Sequence, residues 1–228
     1  MALILTFKQP PIDVRFLSKY NFEQINDLTC KLVSKANEEP ITSINESAFA
    51  SCKSLKSVVI PDSVKTVGYS AFSSCTSLES IVIPDSVTSI NNSAFSSCTS
   101  LKSVVIPDSV NTIGFSAFCS CTSLESIVIP NFVTNICQFT FNNCASLKSV
   151  VMPDSVKTIS NYAFAYCESL ESVVIPDSVI SIHKNVFSNC PSLKTVIING
   201  QTTEYLKKYF ETNYPKIDLE FSHQYLLK

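Results

Sequence analysis

Cysteines are the residues of this chain whose type and spacing most suggest chemistry. Seven of the ten recur at intervals of 23 residues: Cys52, Cys75, Cys98, Cys121, Cys144, Cys167 and Cys190. Thiolates act as nucleophiles or metal ligands, and paired cysteines form disulfides. Neighbouring strands lie about 4.7–4.9 Å apart, within the range that a disulfide tolerates. A stacked column of cysteines is therefore compatible with disulfides, a metal site or buried free thiols.

Buried free thiols are the interpretation that the pattern favours. Seven is an odd number, a Phe precedes each of these cysteines by three residues, and free Cys is among the most buried residue types. The Cys-x-x-Cys spacing of zinc sites is absent, and Cys119-x-Cys121 is the nearest approach to it. Cys30, Cys119 and Cys137 lie outside the column, and we predict that these are the more reactive thiols.

A second column consists of acidic residues that follow a proline. Its members are Asp62, Asp85, Asp108, Asp154 and Asp177, with Asn131 in the remaining place. Stacked carboxylates could hold a hard cation such as calcium. The favoured alternative is a repeated turn cap, because Asn131 can cap a backbone N–H as Asp does but carries no charge. The column therefore predicts turns and no metal site.

Motifs for catalysis or nucleic-acid binding are absent from the sequence. It contains two His and three Gly, and neither a nucleophile elbow nor a phosphate-binding loop occurs. A net charge of −2 offers no electrostatic footprint for nucleic acid. We predict that the chain is not an enzyme, has no catalytic residues and uses no cofactor. A metal- or thiol-dependent enzyme is a remote alternative.

A 23-residue repeat positions these columns, with no insertion or deletion from Leu55 to Leu193. In one unit, Ser57–Ile60 is a short β-branched run bounded by Pro61, which predicts a strand. Alternation along this strand and the spacing after it predict which side chains point inward. The inward set is Leu55, Val58, Ile60, Val64 and Val67, and the outward set is Ser57 and Val59.

The end of each unit predicts a left-handed residue and a short helical turn. Gly68 aligns with Asn45, Asn91 and Gly114, which are residue types that tolerate the left-handed conformation. Residues 71–75 then suit a helical turn that buries Phe and Cys. Each unit is therefore one coil of a solenoid that buries its apolar side against its neighbours.

The consensus Leu-x-x-Val-x-Ile-Pro-x-Ser-Val-x-x-Ile-Gly-x-x-Ala-Phe-x-x-Cys resembles the BspA-like (Treponema-type) leucine-rich repeat. The resemblance covers roughly residues 41–200 and about seven repeats. It implies a leucine-rich-repeat solenoid, coiled in the right-handed sense, with a parallel β-sheet on its concave face. It also implies a binding or adhesion role, because many members of the family lie on the surfaces of bacteria and protozoan parasites.

Both ends of the chain are predicted to cap the solenoid, since its apolar cross-section must be covered. We predict an N-terminal cap over 1–40 with a helix over about 22–36, because Asn21-x-x-Gln24 resembles a capping box and apolar residues follow at helical spacing. The solenoid spans 41–200. A C-terminal cap over 201–228 contains a helix over 203–213 and a strand over 217–221.

Two outward columns form the predicted binding face. One is serine and the other valine, and their central members are Ser80, Val82, Ser103, Val105, Ser126, Val128, Ser149 and Val151. A contiguous exposed apolar stripe tends to mark an interaction site. The alternative is that Val simply suits a strand, and a register error of one residue would bury this column. Beside it, Lys56, Glu79 and Lys102 begin a column of alternating charge, which predicts attraction between successive coils.

These observations predict a protein-binding module without catalysis. The partner is a protein, of host or matrix origin if the chain is exposed on a cell, and the chain itself is expected to be a monomer without a transmembrane segment. The run Ala2–Phe7 is too short for a secretory signal, which points to the cytoplasm, whereas the family resemblance points to the cell surface. An intracellular scaffold and end-to-end stacking of solenoids are the alternatives.

Overall fold

The computed structural model describes residues 4–7, 22–26, 29–32, 40–199 and 204–222, and the side chains of 40–199 and 204–221. In chain order the elements are β1 (Ile4–Phe7), β2 (Phe22–Asn26), β3 (Thr29–Leu32), β4 (Ser43–Ile44), β5 (Leu55–Val59), β6 (Thr66–Val67), β7 (Ser80–Val82), β8 (Ser89–Ile90), β9 (Thr112–Ile113), β10 (Ser126–Val128), β11 (Asn135–Ile136), β12 (Ser149–Val151), β13 (Thr158–Ile159), β14 (Ser172–Ile175), β15 (Ser181–Ile182), β16 (Thr195–Asn199), α1 (Glu204–Asn213) and β17 (Asp218–Ser222). The chain forms a parallel-strand solenoid of about eight turns with 23-residue spacing.

A typical coil contains a first strand, a second strand and a turn segment. The first strands are β5, β7, β10, β12, β14 and β16, and parallel pairing aligns residues 23 positions apart, as Ser57 with Ser80. The coil between β7 and β10 contributes a single residue to this sheet, Val105, which forms an isolated parallel bridge with Val82 of β7. The second strands form two ladders of two residues per coil, one from β4 to β9 and one from β11 to β15. We call the outer surface of the first strands the first face.

The turn segment forms a third ladder that has a different hydrogen-bond pattern. Ser70, Phe72 and Ser74 each donate their N–H to a carbonyl 22 residues later, at 2.7–3.0 Å. The N–H groups of the residues between them bond within the same coil. The segment can alternate in this way because Ser70 and Ser74 adopt positive φ angles of 51° and 60°.

The predicted left-handed position at Gly68 is wrong. The left-handed residues come two and six positions later, and most of them are serine. Gly68 is instead a point of close approach, because an added Cβ would lie 2.5 Å from the carbonyl oxygen of Ile44. Serine adopts the left-handed conformation at an energetic cost, and the inter-coil bonds of the turn segment offset it.

The core is one continuous apolar column along the solenoid. All five predicted inward side chains of the first full unit are at most 1% exposed, and the same positions are buried in the following coils. From Phe49 to Phe187, one phenylalanine per coil stacks on the next, with ring centroids 5.1–5.8 Å apart. This confirms the predicted alternation of inward and outward residues.

The predicted N-terminal helix over 22–36 is wrong where the structure describes it. Residues 22–26 and 29–32 are the strands β2 and β3, which pair antiparallel, and β1 joins β3 to β5. The rest of the predicted helix lies outside the described residues. The backbone edge of β5 needs hydrogen-bond partners, and this tertiary demand outweighs the local helical spacing of apolar residues.

At the C-terminus the chain forms one short helix and one strand. The helix α1 begins at Glu204 and ends at Asn213, with Leu206, Tyr209 and Phe210 packed against the last coil. The strand β17 then pairs parallel with β16, so that the first sheet gains one more strand. The described part of the chain contains no helix that is long and apolar enough to cross a membrane.

Candidate functional site

All eight residues of the predicted binding face lie exposed on the first face. The valine column is the most exposed apolar feature there, with Val82 60%, Val105 78%, Val128 60% and Val151 56% exposed. The four serines of the neighbouring column are exposed as well. We call the four exposed valines the valine stripe. At its two ends, the aligned Val59, Val174 and Ile197 are half-buried.

On one side the stripe is bordered by the column of alternating charge. Lys56 Nζ lies 3.8 Å from Glu79 Oε2, and Lys148 Nζ lies 3.4 Å from Glu125 Oε2. These side chains are roughly half exposed, so each pair contributes little to stability. The column is nearly neutral, and this border of the stripe therefore favours neither sign of charge.

On the other side the stripe is bordered by the acidic column. The turn that carries it is closed by a backbone bond from Val64 N–H to the Pro61 oxygen, at 3.0 Å, in place of the predicted side-chain cap. Asp108 bonds to the next coil instead, where its carboxylate accepts the backbone and side-chain N–H groups of Asn131 at 3.1–3.2 Å. Among the described residues, no group of acidic, His or Cys side chains is arranged to hold a metal ion.

Phe132 is a surface residue that the sequence reasoning missed. It is 67% exposed and occupies a position that is serine in the other full coils. Four of the five serine hydroxyls at that position donate a hydrogen bond to the preceding coil, as Ser109 Oγ does to the Val87 oxygen at 2.7 Å. Phe132 lacks this hydroxyl. The replacement of the consensus serine by Phe is visible in the sequence, and it was the signal that could have identified this residue.

The column cysteines are hydrogen-bond donors as well as core residues. From Cys75 to Cys190, each thiol donates to the carbonyl oxygen of a phenylalanine 26 residues earlier, at 3.1–3.3 Å. Burial raises the pKa of the Cys121 thiol to about 12 and that of Cys190 to about 11, because the thiolate would lose its hydration. None of the nine cysteines with described side chains forms a disulfide bond.

The cysteines predicted to be reactive differ in their surroundings. Cys119 is half-buried, with its sulfur 3.8 Å from Asn142 Oδ1 and 3.7 Å from Ser120 Oγ. Cys137 is half-buried too, and desolvation raises its pKa, which disfavours the nucleophilic thiolate. The side chain of Cys30 lies outside the described residues. Their reactivity stays a prediction.

Further aromatic residues interrupt the serine columns of the turn segment. Phe139 and Tyr162 replace serine at left-handed positions, with φ of 58° and 56°, and their rings stack with centroids 5.4 Å apart. Near the C-terminal cap, Tyr166, Phe187 and Tyr214 contribute to an open groove of about 800 Å³. These sites lie on the turn segment and beside the C-terminal cap, away from the valine stripe.

Comparison with known proteins places the chain in a family. The BspA type Leucine rich repeat region matches residues 16–148 and 134–226, with six copies. Among solved structures, the T. pallidum leucine-rich repeat protein is 32% identical, with a TM-score of 0.67 over 84% of this chain and 85% of that one. A leucine rich cell surface protein from Faecalibacterium prausnitzii is 31% identical, with a TM-score of 0.57 over 74% of this chain and 54% of that one. A comparison with curated proteins gave no match. The 23-residue coils and these matches agree, and the chain belongs to the BspA-type leucine-rich-repeat family.

Proposed function

We propose that this protein is a non-catalytic binding module that captures a protein partner on its first face. The valine stripe carries the proposal, because four neighbouring coils each leave more than half of an apolar side chain in water. Contiguous exposed apolar surface of this kind tends to mark interaction sites. The contacts are proposed to come from Ser80, Val82, Ser103, Val105, Ser126, Val128, Ser149 and Val151.

The first face is proposed to be concave. Its parallel strands lie about 4.7–4.9 Å apart, as in any sheet. The phenylalanine rings, which lie on the turn-segment side of each coil, have centroids 5.1–5.8 Å apart. A stack that is wider on the phenylalanine side curves toward the sheet, which supports a concave first face. A concave face surrounds a convex partner and buries more of its surface.

Binding is proposed to be adhesin-like and to take place at the cell surface, with a host or matrix protein as partner. Support comes from the likeness to the cell surface protein of Faecalibacterium prausnitzii. An intracellular scaffold is the alternative, since the same face would serve a cytosolic partner equally well. The identity of the proteins that bind separates the two versions.

Substitution in the stripe tests the proposal. Purified protein is applied to immobilised extracellular-matrix proteins and, separately, to cytosolic proteins of the source cell. Val105→Asp with Val128→Asp should abolish capture without unfolding the chain, because two carboxylates would have to be desolvated at the apolar centre of the interface. Circular dichroism and the unfolding midpoint check that the fold persists.

A matched variant controls for added charge. Asn111→Asp with Thr134→Asp introduces two exposed carboxylates in the same two coils, beside the second strands. It should capture partners as the wild type does. Capture of matrix proteins supports the adhesin-like version, and capture of cytosolic proteins alone supports the scaffold. Unchanged capture by the valine variant would sink the assignment to the first face.

A further inference from the structure

Phe132 breaks the repeat without a visible structural benefit. The serine that it replaces would donate a hydrogen bond to the Val110 oxygen, as four of the five equivalent serines do to their own preceding coils at 2.7 Å. No ring contact to another aromatic residue is found for Phe132 within the described chain, and its side chain is 67% exposed. A residue that forgoes a hydrogen bond and exposes an aromatic ring is better explained by recognition than by folding.

Phe132 stands at the corner between the first and second strands, next to Asn131 in the acidic column. Four positions earlier in the same coil lies Val128, a member of the valine stripe. The exposed apolar surface of the stripe thus has an aromatic residue at its acidic border, in one of its central coils. Aromatic residues, Phe among them, are enriched at protein interfaces relative to the rest of the surface.

The acidic column gives this border a net negative charge. Asp62, Asp85, Asp108, Asp154 and Asp177 are all exposed, and no described cation lies within 4.0 Å of any of their carboxylates. Lys65 and Lys157, three residues further along their coils, are the nearest basic residues in sequence. With a nearly neutral column on the other side, the surface is apolar in the middle and acidic along one edge. Charge complementarity then favours a basic partner.

Spacing along the solenoid favours a helical partner over an extended one. Stripe residues recur once per coil, about every 4.7–4.9 Å. A helix laid across the coils presents apolar residues about every 5.4 Å, whereas one side of an extended strand presents them about every 6.6 Å. Each first strand already pairs with a neighbouring first strand, so an extended segment would have to compete with these existing pairs.

We propose that the partner presents a basic amphipathic helix, which lies along the valine stripe with its cationic side on the acidic column and packs against Phe132. This inference rests on the function proposed above. The apolar side of the helix contacts the valine stripe, and its cationic side faces the acidic column, which sets the orientation of the helix. Phe132 packs against the helix at the border between the two.

Designed peptides of about 18 residues, long enough to cover all four stripe coils as a helix, test the inference. The first has Leu at helical spacing and Lys elsewhere, the second replaces Lys with Glu, and the third scatters the Leu of the first so that no apolar side forms. Fluorescence anisotropy measures their binding to the full chain at physiological salt. The first peptide should bind about tenfold more tightly than the other two. Equal binding of the acidic or the scattered peptide would overturn the inference.

Two matched variants locate the charge effect. Asp85→Asn with Asp154→Asn should weaken binding of the basic peptide severalfold, because two negative charges that attract the lysines are removed. Neither described carboxylate is engaged in an ion pair or hydrogen bond within the chain, so the fold should not change. Glu46→Gln with Glu168→Gln makes the same change in net charge at exposed sites outside the column, and binding should stay as in the wild type. An equal effect of both variants contradicts the assignment to the acidic column.

Phe132→Ser separates recognition from stability. Restoring the serine should raise the unfolding midpoint, since the hydroxyl regains a bond to Val110, and should weaken peptide binding severalfold. Unchanged binding would remove Phe132 from the site.

Val105→Asn with Val128→Asn, chosen to add no charge, distinguishes the two proposals. Peptide binding that survives this change contradicts the assignment of the binding site to the first face, and with it the proposed function. Binding that is lost with it, but without preference for the basic peptide, contradicts only the basic helix.

Discussion

Each buried cysteine joins two coils through a hydrogen bond that requires the thiol to keep its proton. Cys121 Sγ lies 3.2 Å from the Phe95 oxygen, and the thiol is fully buried. Because the thiolate could neither donate this bond nor be hydrated, burial raises the pKa of Cys121 to about 12. The column is therefore suited to stability at neutral pH and poorly suited to nucleophilic chemistry.

This linkage predicts a loss of stability at alkaline pH. The unfolded thiol has a pKa of 9.0 and the folded Cys121 thiol one of about 12, so between these values only the unfolded chain releases the proton. Stability is fully present below pH 9 and falls above it, by about 1.4 kcal/mol per such thiol at pH 10. The stability advantage of the wild type over Cys121→Ala should therefore shrink by about that amount between pH 7.5 and pH 10.

Urea unfolding with reductant present measures this difference at the two pH values. Val110→Ala is the control, because it removes buried apolar volume but no titrating group, and its effect should be the same at both. An advantage over Cys121→Ala that stays constant with pH would contradict the buried neutral thiol.

Among the elements, the C-terminal helix α1 and the residue after it cover the last coil with tyrosine hydroxyls. Tyr209 donates to the His183 oxygen at 2.6 Å, and Tyr214 donates to the Lys184 oxygen while accepting from Phe187 N–H. Tyr205 accepts a longer bond of 3.3 Å from Ile182 N–H. Burial raises the pKa of Tyr209, so its hydroxyl stays protonated and able to donate. The cap thus provides hydrogen-bond partners for backbone N–H and C=O groups of the last coil, which a further coil would otherwise have supplied.

Removal of one hydroxyl tests this role. Tyr209→Phe should lower the free energy of unfolding by about 1 kcal/mol, because the hydroxyl of the buried Tyr209 side chain no longer donates to the His183 oxygen, which keeps only its hydrogen bond from Val186 N–H. Tyr205→Phe removes a long bond made by a side chain that is 45% exposed and should cost less than about 0.5 kcal/mol. Urea unfolding at neutral pH compares them, and equal costs would contradict the capping role of Tyr209.

The two caps also show where local patterns suffice. The spacing of Leu206 and Phe210 predicted α1, since that helix buries one side against the last coil. Similar spacing near the N-terminus predicted a helix where the chain forms β2 and β3. Pairing through β1 with the edge of β5 decided that outcome, and no local pattern reveals such a contact.

For the whole molecule, the strand β17 carries two acidic residues, Asp218 and Glu220. Within the described residues β17 is the outer strand of its group. Its register places Asp218 beside Thr195 of the serine column and Glu220 beside Ile197 of the valine column. Charged side chains on an edge strand oppose pairing with another chain. We propose that these two carboxylates keep the solenoid monomeric.

Neutralising this edge should therefore produce association. Asp218→Val with Glu220→Val is expected to form dimers or larger species as concentration rises, whereas the wild type stays monomeric. Sedimentation velocity over a range of concentrations measures this. Glu46→Val with Glu168→Val removes two exposed carboxylates elsewhere and should remain monomeric. A wild type that self-associates would favour end-to-end stacking of solenoids instead.

The amino-acid sequence by itself determined the period, the strand of each unit, the inward and outward columns and the family, because these depend on interactions that every coil repeats with its neighbours. An unbroken spacing of 23 residues aligns like with like, so one unit describes them all. Only the tertiary structure decided the N-terminal strands, the left-handed serines, the thiol-to-carbonyl bonds and the exposure of Phe132. Each of these depends on backbone groups of another coil or on a sheet edge, which are distant in sequence and come together only when the solenoid is built.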